Sequence, residues 1–128
     1  MKISHLDHLV LTVADIKTTC QFYQSALNFE VISFGENRKA LQFASQKINL
    51  HQVGKEFEPK AFYPTAGSAD LCFIAETPLN EVISHLQNLN IEIIEGPIER
   101  TGAMGKILSI YLHDPDQNLI EISNYIDK

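Results

Sequence analysis

Asp114-Pro115-Asp116-Gln117-Asn118-Leu119-Ile120-Glu121-Ile122 is the stretch from which the rest of this chain can be read. A tight Asp-Pro-Asp turn leads into a short strand on which Ile120 and Ile122 face one way and Glu121 the other. An isolated ionised carboxylate taken out of water would neutralise, so an inward Glu121 needs a cation, a hydrogen-bond network or a wet cleft. The remainder of the sequence must supply one of these.

Working outward, Leu119 to Ser123, Ile107 to Leu112, Ile91 to Ile94 and Asp70 to Ile74 read as strands. Between the last two, Thr77 reads as a helix N-cap with Pro78 at the first helical position. Leu79, Val82, Ile83, Leu86 and Leu89 then recur at helical spacing until Asn90 stops the run. The first half repeats this order. Leu6 to Val13 alternates, with Leu9, Leu11 and Val13 on one face and His8, Val10 and Thr12 on the other. Asp15 caps a helix whose stripe is Ile16, Thr19, Cys20, Tyr23, Ala26 and Leu27, and Asn28 suits a left-handed stop. Phe29 to Phe34, Ala40 to Ala44 and Ile48 to His51 are strands, with Ser45-Gln46-Lys47 turning between the last two.

Laid over one another, the halves pair Leu27-Asn28-Phe29-Glu30 with Leu89-Asn90-Ile91-Glu92, and Leu9 and Leu11 with Leu71 and Phe73. A duplicated module accounts for this economically. The spacing predicts module one over about 4–53, a polar linker or lid over 54–67 and module two over about 68–126. The expected fold class is α+β: two βαβββ modules forming a curled, mixed sheet with a concave cleft, either within one chain or completed by a second.

The overlay also places His8 on Asp70 and Asn49 on Glu121, so four polar positions become two equivalent pairs. His51 shares the face of Asn49, roughly 6–7 Å further along the strand. Arg38 and Gln42 share strand parity, and Arg38 offers a planar fork suited to carboxylate or phosphate. The segment from Glu99 to Lys106 sets Arg100, Thr101 and Lys106 around Gly102 and Gly105, a loop able to close over an anionic ligand. Phe57, Phe62 and Tyr63 either wall the pocket or dock the linker. His5, His85 and His113 fall outside the cleft-facing parity and read as structural or surface residues.

Bulk properties narrow the function classes. A chain of 128 residues with 45% apolar content suits a single domain. A net charge of -6 without a Lys/Arg run argues against nucleic acid and for a small molecule or a protein partner. No apolar run approaches the roughly 20 residues that span a bilayer, and Met1-Lys2-Ile3-Ser4-His5 has no leader-like apolar core. Cys20 and Cys72 stand in no metal or redox spacing and read as buried thiols in a reducing compartment. A cytoplasmic location is expected.

A duplicated strand-helix-three-strand module with His8 in its first strand and Asp114-Pro115-Asp116 ahead of Ile120-Glu121 resembles the vicinal oxygen chelate superfamily, which includes glyoxalase I, extradiol dioxygenases, fosfomycin-resistance enzymes and bleomycin-binding proteins. The likeness runs from Leu6 to about Tyr125. Within it, His8–Asp15 and Phe22-Tyr23 look like the usual opening, and Lys47–His51, Gly67–Phe73, Glu95-Gly96-Pro97 and Arg100-Thr101-Gly102 look closest to the glyoxalase-domain-containing protein five group, which includes bacterial virulence-protein-like members. That resemblance implies one divalent metal ion, Zn, Mn, Fe or Ni, with His8, His51, Asp70 and Glu121 as candidate ligands. Asp70 stands where many relatives have His, and Asn49 where glyoxalase I has a carboxylate; His51 or Asn49 is the inner group. The resemblance implies a lyase, isomerase or dioxygenase acting on a small oxygen-chelating, anionic substrate, with Glu121 and His51 as catalytic groups. Arg38, Gln42, Asn49, Arg100, Thr101 and Lys106 would contact the substrate. The alternative is a metal-free binding protein of the bleomycin-binding type. A homodimer is expected from the exposed strand edges between modules.

Overall fold

The computed structural model describes residues 1–126 and divides into two compact units, the first running from Met1 to Gly67 and the second beginning at Ser68. In the first unit, β1 (His8–Val13), α1 (Ile16–Leu27), β2 (Glu30–Phe34), β3 (Arg38–Phe43) and β4 (Gln46–Gln52) follow in order. In the second, β5 (Asp70–Ile74), α2 (Leu79–Asn88), β6 (Glu95–Thr101), β7 (Lys106–His113) and β8 (Leu119–Tyr125) repeat it. Each unit thus builds its own four-stranded mixed sheet, ordered β1-β4-β3-β2 and β5-β8-β7-β6. The opening strand lies parallel to the closing one, and the remaining pairs are antiparallel. The α+β class and the paired βαβββ modules agree with the sequence pattern.

Strand alternation decides which face each helix covers. In the first unit Leu11, Val13, Leu41, Ile48 and Leu50 are buried together with Cys20, Tyr23 and Ala26 of α1. Phe29 stacks on Tyr23 at 5.7 Å and on Phe43 at 4.4 Å between ring centroids, closing the end of that core. In the second unit Ile110, Leu112, Ile120 and Ile122 are buried, as are Leu79 and Leu86 of α2. Each fully buried aliphatic side chain contributes about 1.5–3 kcal/mol of transfer free energy.

The two helices begin differently. Asp15 caps α1, its carboxylate accepting from Thr18 N at 2.9 Å. Thr77 does not cap α2: the cap position falls on Pro78, which has no side-chain acceptor, and Asn124 Oδ1 takes the Leu79 N–H at 2.6 Å instead. Gln52 does the same for α1, accepting from Ile16 N at 3.1 Å and donating to Ala14 O. Asn124 likewise donates to Ala75 O and Thr77 O. A carboxamide at the end of each closing strand therefore bolts down the start of its helix.

Local boundaries depart from expectation where long-range pairing overrides pattern. Ile91 to Ile94 is not a strand, because Ile91 N turns back to Leu86 O and only Ile94 N reaches Tyr111 O; β6 starts at Glu95. The β3–β4 register, Phe43 opposite Gln46, leaves Ala44 and Ser45 at the hairpin tip, so Gln46 and Lys47 belong to β4 and not to the turn. The Asp-Pro-Asp turn is held by buried Asp114, whose Oδ1 accepts from Asp116 N and Asn118 N at 2.9 and 3.0 Å. Asn118 Oδ1 then accepts from Ala69 N at 2.8 Å, registering β8 against the start of β5. Gly96 adopts φ +104, and a Cβ there would lie 2.3 Å from Ser109 O, so only glycine lets β6 come this close to β7. No helix among the described residues is long and apolar enough to cross a membrane.

Candidate functional site

In each unit the face away from the helix carries the polar groups. In the first unit the strand registers gather His8, Val10 and Thr12 of β1, Lys47, Asn49 and His51 of β4, Arg38, Ala40 and Gln42 of β3, and Glu30, Ile32 and Phe34 of β2. His51 is buried, and its Nε2 lies 3.3 Å from Arg38 Nη2. A guanidinium only donates, so His51 Nε2 must be the acceptor and its proton must sit on Nδ1. Burial pushes the His51 pKa below its ordinary 6.5; Arg38 adds to that and Glu56 opposes it. The Phe57 ring stands edge-on to the imidazole at 5.6 Å, and Arg38 Cζ lies 4.6 Å from the Phe57 centroid and 4.9 Å from that of Phe34. Lys47 Nζ sits 4.0 Å over Phe34. Phe57 thus walls this face, whereas Phe62 and Tyr63 are 86% and 81% exposed.

In the second unit the corresponding face presents Asp70, Cys72 and Ile74 of β5, Leu119, Glu121, Ser123 and Tyr125 of β8, Ile107, Ser109, Tyr111 and His113 of β7, and Ile98 and Arg100 of β6. Part of it is a pocket of about 380 Å³ lined by Cys72, Arg100, Thr101, Gly102, Glu121 and Tyr125, among others. Ser109 Oγ donates to Glu121 Oε2 at 2.6 Å and also lies 2.6 Å from Ser123 Oγ, both serines being fully buried. Ser109 has one hydroxyl proton. Once that proton is given to Glu121, Ser123 must donate to Ser109, and the Cys72 thiol, 3.5 Å from Ser123, completes a directed row. Glu121 thus sits in the hydrogen-bond network that an inward carboxylate requires.

Arg100 is held by Tyr111 Oη at 3.0 Å and Glu95 at 3.2 Å. Lys106 pairs with Glu99 at 3.2 Å and is not among the pocket residues. Residues 102–105 make a tight turn between β6 and β7, tied by Gly102 N to Gly105 O at 2.7 Å, and the flanking cations Arg100 and Lys106 pair with Glu95 and Glu99. Two readings from the sequence, one of strand parity and one of burial, are corrected. His113 does share the helix-free face, at the strand end beside Leu119, and Cys72 is exposed instead of buried. Desolvation at Sγ nonetheless raises the Cys72 thiol, and the neighbouring Glu121 charge adds to it. Alternation from Glu121 would have found Ser123; Ser109, Tyr111 and Phe34 need the strand registers.

Within neither unit do the candidate metal ligands gather into a shell. Among the described residues no three His, Cys, Asp or Glu side chains form a group able to hold an ion. In the first unit His8 pairs with Lys47 and His51 with Thr12, four positions on, so the imidazoles start about 13 Å apart along the strand. Zinc–nitrogen bonds are about 2.0–2.1 Å, and His51 Nε2 is already occupied by Arg38. His8, partly exposed, bonds Asp7 Oδ1 at 2.8 Å through Nδ1. What remains is one diagonal pair per unit: His8 with Asn49, and exposed Asp70 with Glu121. Asn49 is 6% exposed and its Oδ1 has no hydrogen-bond partner.

Comparison with known proteins accords with this architecture. The family model described as Glyoxalase/Bleomycin resistance protein/Dioxygenase superfamily matches residues 5–122. Virulence protein STM3117 of Salmonella typhimurium is 61% identical over 126 residues, 98% of this chain and 88% of the relative. Its crystal structure superposes with a TM-score of 0.97, covering 98% of this chain and 100% of that one. Glyoxalase domain-containing protein RDO1 of Mycosarcoma maydis is 54% identical over 127 residues, 99% of this chain and 72% of the relative. The fosfomycin resistance protein FosX of Listeria monocytogenes, solved with Mn(II) and sulfate, is 25% identical with a TM-score of 0.67, covering 98% of this chain and 93% of that one. This chain belongs to the glyoxalase/bleomycin resistance protein/dioxygenase superfamily.

Proposed function

We propose that this chain is a small enzyme of lyase or isomerase type that acts on a compact, oxygen-rich anionic molecule, with Glu121 as the group that takes and returns a proton. The observation that carries the reading is the Glu121 carboxylate, held through Oε2 by Ser109 at 2.6 Å on the wall of the pocket. Its place on the pocket wall lets the carboxylate meet a ligand. A carboxylate so placed suits general-base removal of a carbon-bound proton next to a carbonyl. The C–H electron pair moves into an enolate, the proton rests on Glu121 and then returns to the neighbouring atom, so the step needs no oxidant or reductant. Arg100, on the same pocket, favours the oxyanion as it forms.

A divalent ion bound to two substrate oxygens would supply Lewis-acid assistance, and FosX, solved with Mn(II), supports looking for one. The donors in either unit stop at one diagonal pair, so the proton transfer above is derived without it. A homodimer and a cytoplasmic location belong to the same proposal; β1 and β2 of one sheet and β5 and β6 of the other are edge strands on which a second copy could pair.

The test is loss of the α-proton ¹H signal from a panel of 2-hydroxy- and 2-oxo-carboxylates in D₂O, run with added Mn²⁺ and separately with EDTA. Exchange by the wild type that disappears in Glu121→Gln is the expected result. Exchange that survives this change removes Glu121 from the role. Saturable binding of panel members with no exchange under either condition makes the chain a binding protein.

A further inference from the structure

We infer that Arg38 anchors an oxyanion subsite on the helix-free face of the first unit, one that takes the carboxylate of a small ligand. The inference rests on the reading above only in that the ligand is anionic, and it concerns the first unit by itself. Arg38 Nε is buried and has no hydrogen-bond partner, and among the described residues Arg38 makes no ion pair. A buried donor left unpaired is costly, more so when it carries charge, so this arrangement is poised for a partner supplied from outside. The guanidinium is also fixed in place. Phe34 and Phe57 lie against it at 4.9 and 4.6 Å, and Nη2 is held by His51. A side chain held this way has less rotamer entropy left to lose when it receives a ligand.

Glu56, whose charge reaches the neighbouring His51, is engaged elsewhere: it accepts from Gly54 N at 2.9 Å and lies 3.7 Å from Lys60. Asn49, on the neighbouring strand and the same face, has its own buried and unpaired Oδ1, which would accept a hydroxyl donated by the same ligand. A planar carboxylate matches the free edge of the guanidinium fork. Its single charge balances one arginine. A phosphate dianion calls for a second cation at hydrogen-bond distance; His51, neutral because it accepts from Arg38, does not provide one, and the Lys47 ammonium is placed on the Phe34 ring. The half-exposed Phe57 ring, at 38%, gives the ligand body an apolar wall.

The test follows the Arg38 Nε–H resonance in ¹H–¹⁵N spectra while sodium benzoate, sodium acetate or inorganic phosphate is added at matched ionic strength. Benzoate is expected to shift that resonance saturably, and acetate to do so more weakly. Arg38→Met, which keeps the aliphatic stem, is expected to weaken benzoate binding at least about tenfold, as judged by other amides of the face and by calorimetry. Arg38→Lys, which keeps the charge without the fork, is expected to recover only part of it, and decides the matter if the methionine variant fails to fold. Undiminished benzoate binding in these variants, or no shift in the wild type, overturns the subsite; tighter binding of phosphate than of benzoate overturns its class. Glu121→Gln is expected to bind benzoate as the wild type does. A failure of proton exchange in that variant therefore leaves this result standing, and a failure to bind benzoate leaves proton exchange standing.

Discussion

The two units share an order of elements and a strand arrangement, yet their helix-free faces carry opposite chemistry. The first is cationic and aromatic, with Arg38 and Lys47 against Phe34 and Phe57 and a buried neutral His51. The second is acidic and hydroxylic, with Glu121, Ser109 and Ser123 in one hydrogen-bonded row and its arginine tied to Glu95 and Tyr111. Strand alternation obliges one face of each sheet to pack on a helix and leaves the other face free to vary. Duplication therefore preserved the packed faces and let the open ones diverge, one toward receiving negative charge and the other toward holding it.

The largest expected effect that separates the units is conformational. Gly96→Ala forces a side chain into φ +104 and within 2.3 Å of Ser109 O, and is expected to cost about 3 kcal/mol or more by urea denaturation. Gly54, at φ +80 with nothing within 4 Å of an added Cβ, should cost only about 1 kcal/mol on the same change. Next comes the hydroxyl row. Ser109→Ala leaves buried Ser123 and Glu121 Oε2 short of a partner and is expected to destabilise by about 1–3 kcal/mol, a loss that shrinks when Glu121→Gln is made first, since the cycle then reports their coupling.

Helix capping sharpens the comparison further. Asp15→Ala should cost about 1 kcal/mol, because that carboxylate holds the Thr18 N–H. Thr77→Ala should cost almost nothing, because the Thr77 side chain does not cap α2 and Asn124 holds the Leu79 N–H instead. The smallest effect is on pH dependence. His51 binds fewer protons folded than unfolded, since its folded pKa lies below 6.5. Stability should therefore climb as pH rises through that value and be lost as pH falls below it. His51→Gln should flatten this part of a plot of Tm against pH.

The fold was legible because its signals are periodic and local. Alternation about Glu121, the Asp15 cap and the Asn28 stop each act over a few residues, and the repeat doubled their weight. Asn28 indeed ends α1 at φ 58. The start of α2 was not legible, because its acceptor, Asn124, lies 45 residues away from Leu79. The strand assignment at Ile91 to Ile94 failed for a related reason: apolar residues that look like a strand spend their backbone closing the preceding helix. At the candidate site, parity put Glu121, Asn49, His51, Arg38 and Gln42 on the right faces. It could not tell that four strand positions separate His8 from His51, since that depends on which residue of β4 meets β1. Nor could spacing reveal that Lys106 is spoken for by Glu99 while Arg38 has no such partner among the described residues.

The carboxamides at the ends of β4 and β8 have a consequence for how the molecule meets negative charge. The open amides at a helix start are a ready-made seat for phosphate and other anions, and a duplicated module offers two such seats. Gln52 and Asn124 fill both at the first amide, Ile16 N in one case and Leu79 N in the other. With those seats plugged from within the backbone scaffold, selectivity for an acidic guest passes from peptide dipoles, which are common to every helix, to individual side chains that substitution can retune one at a time.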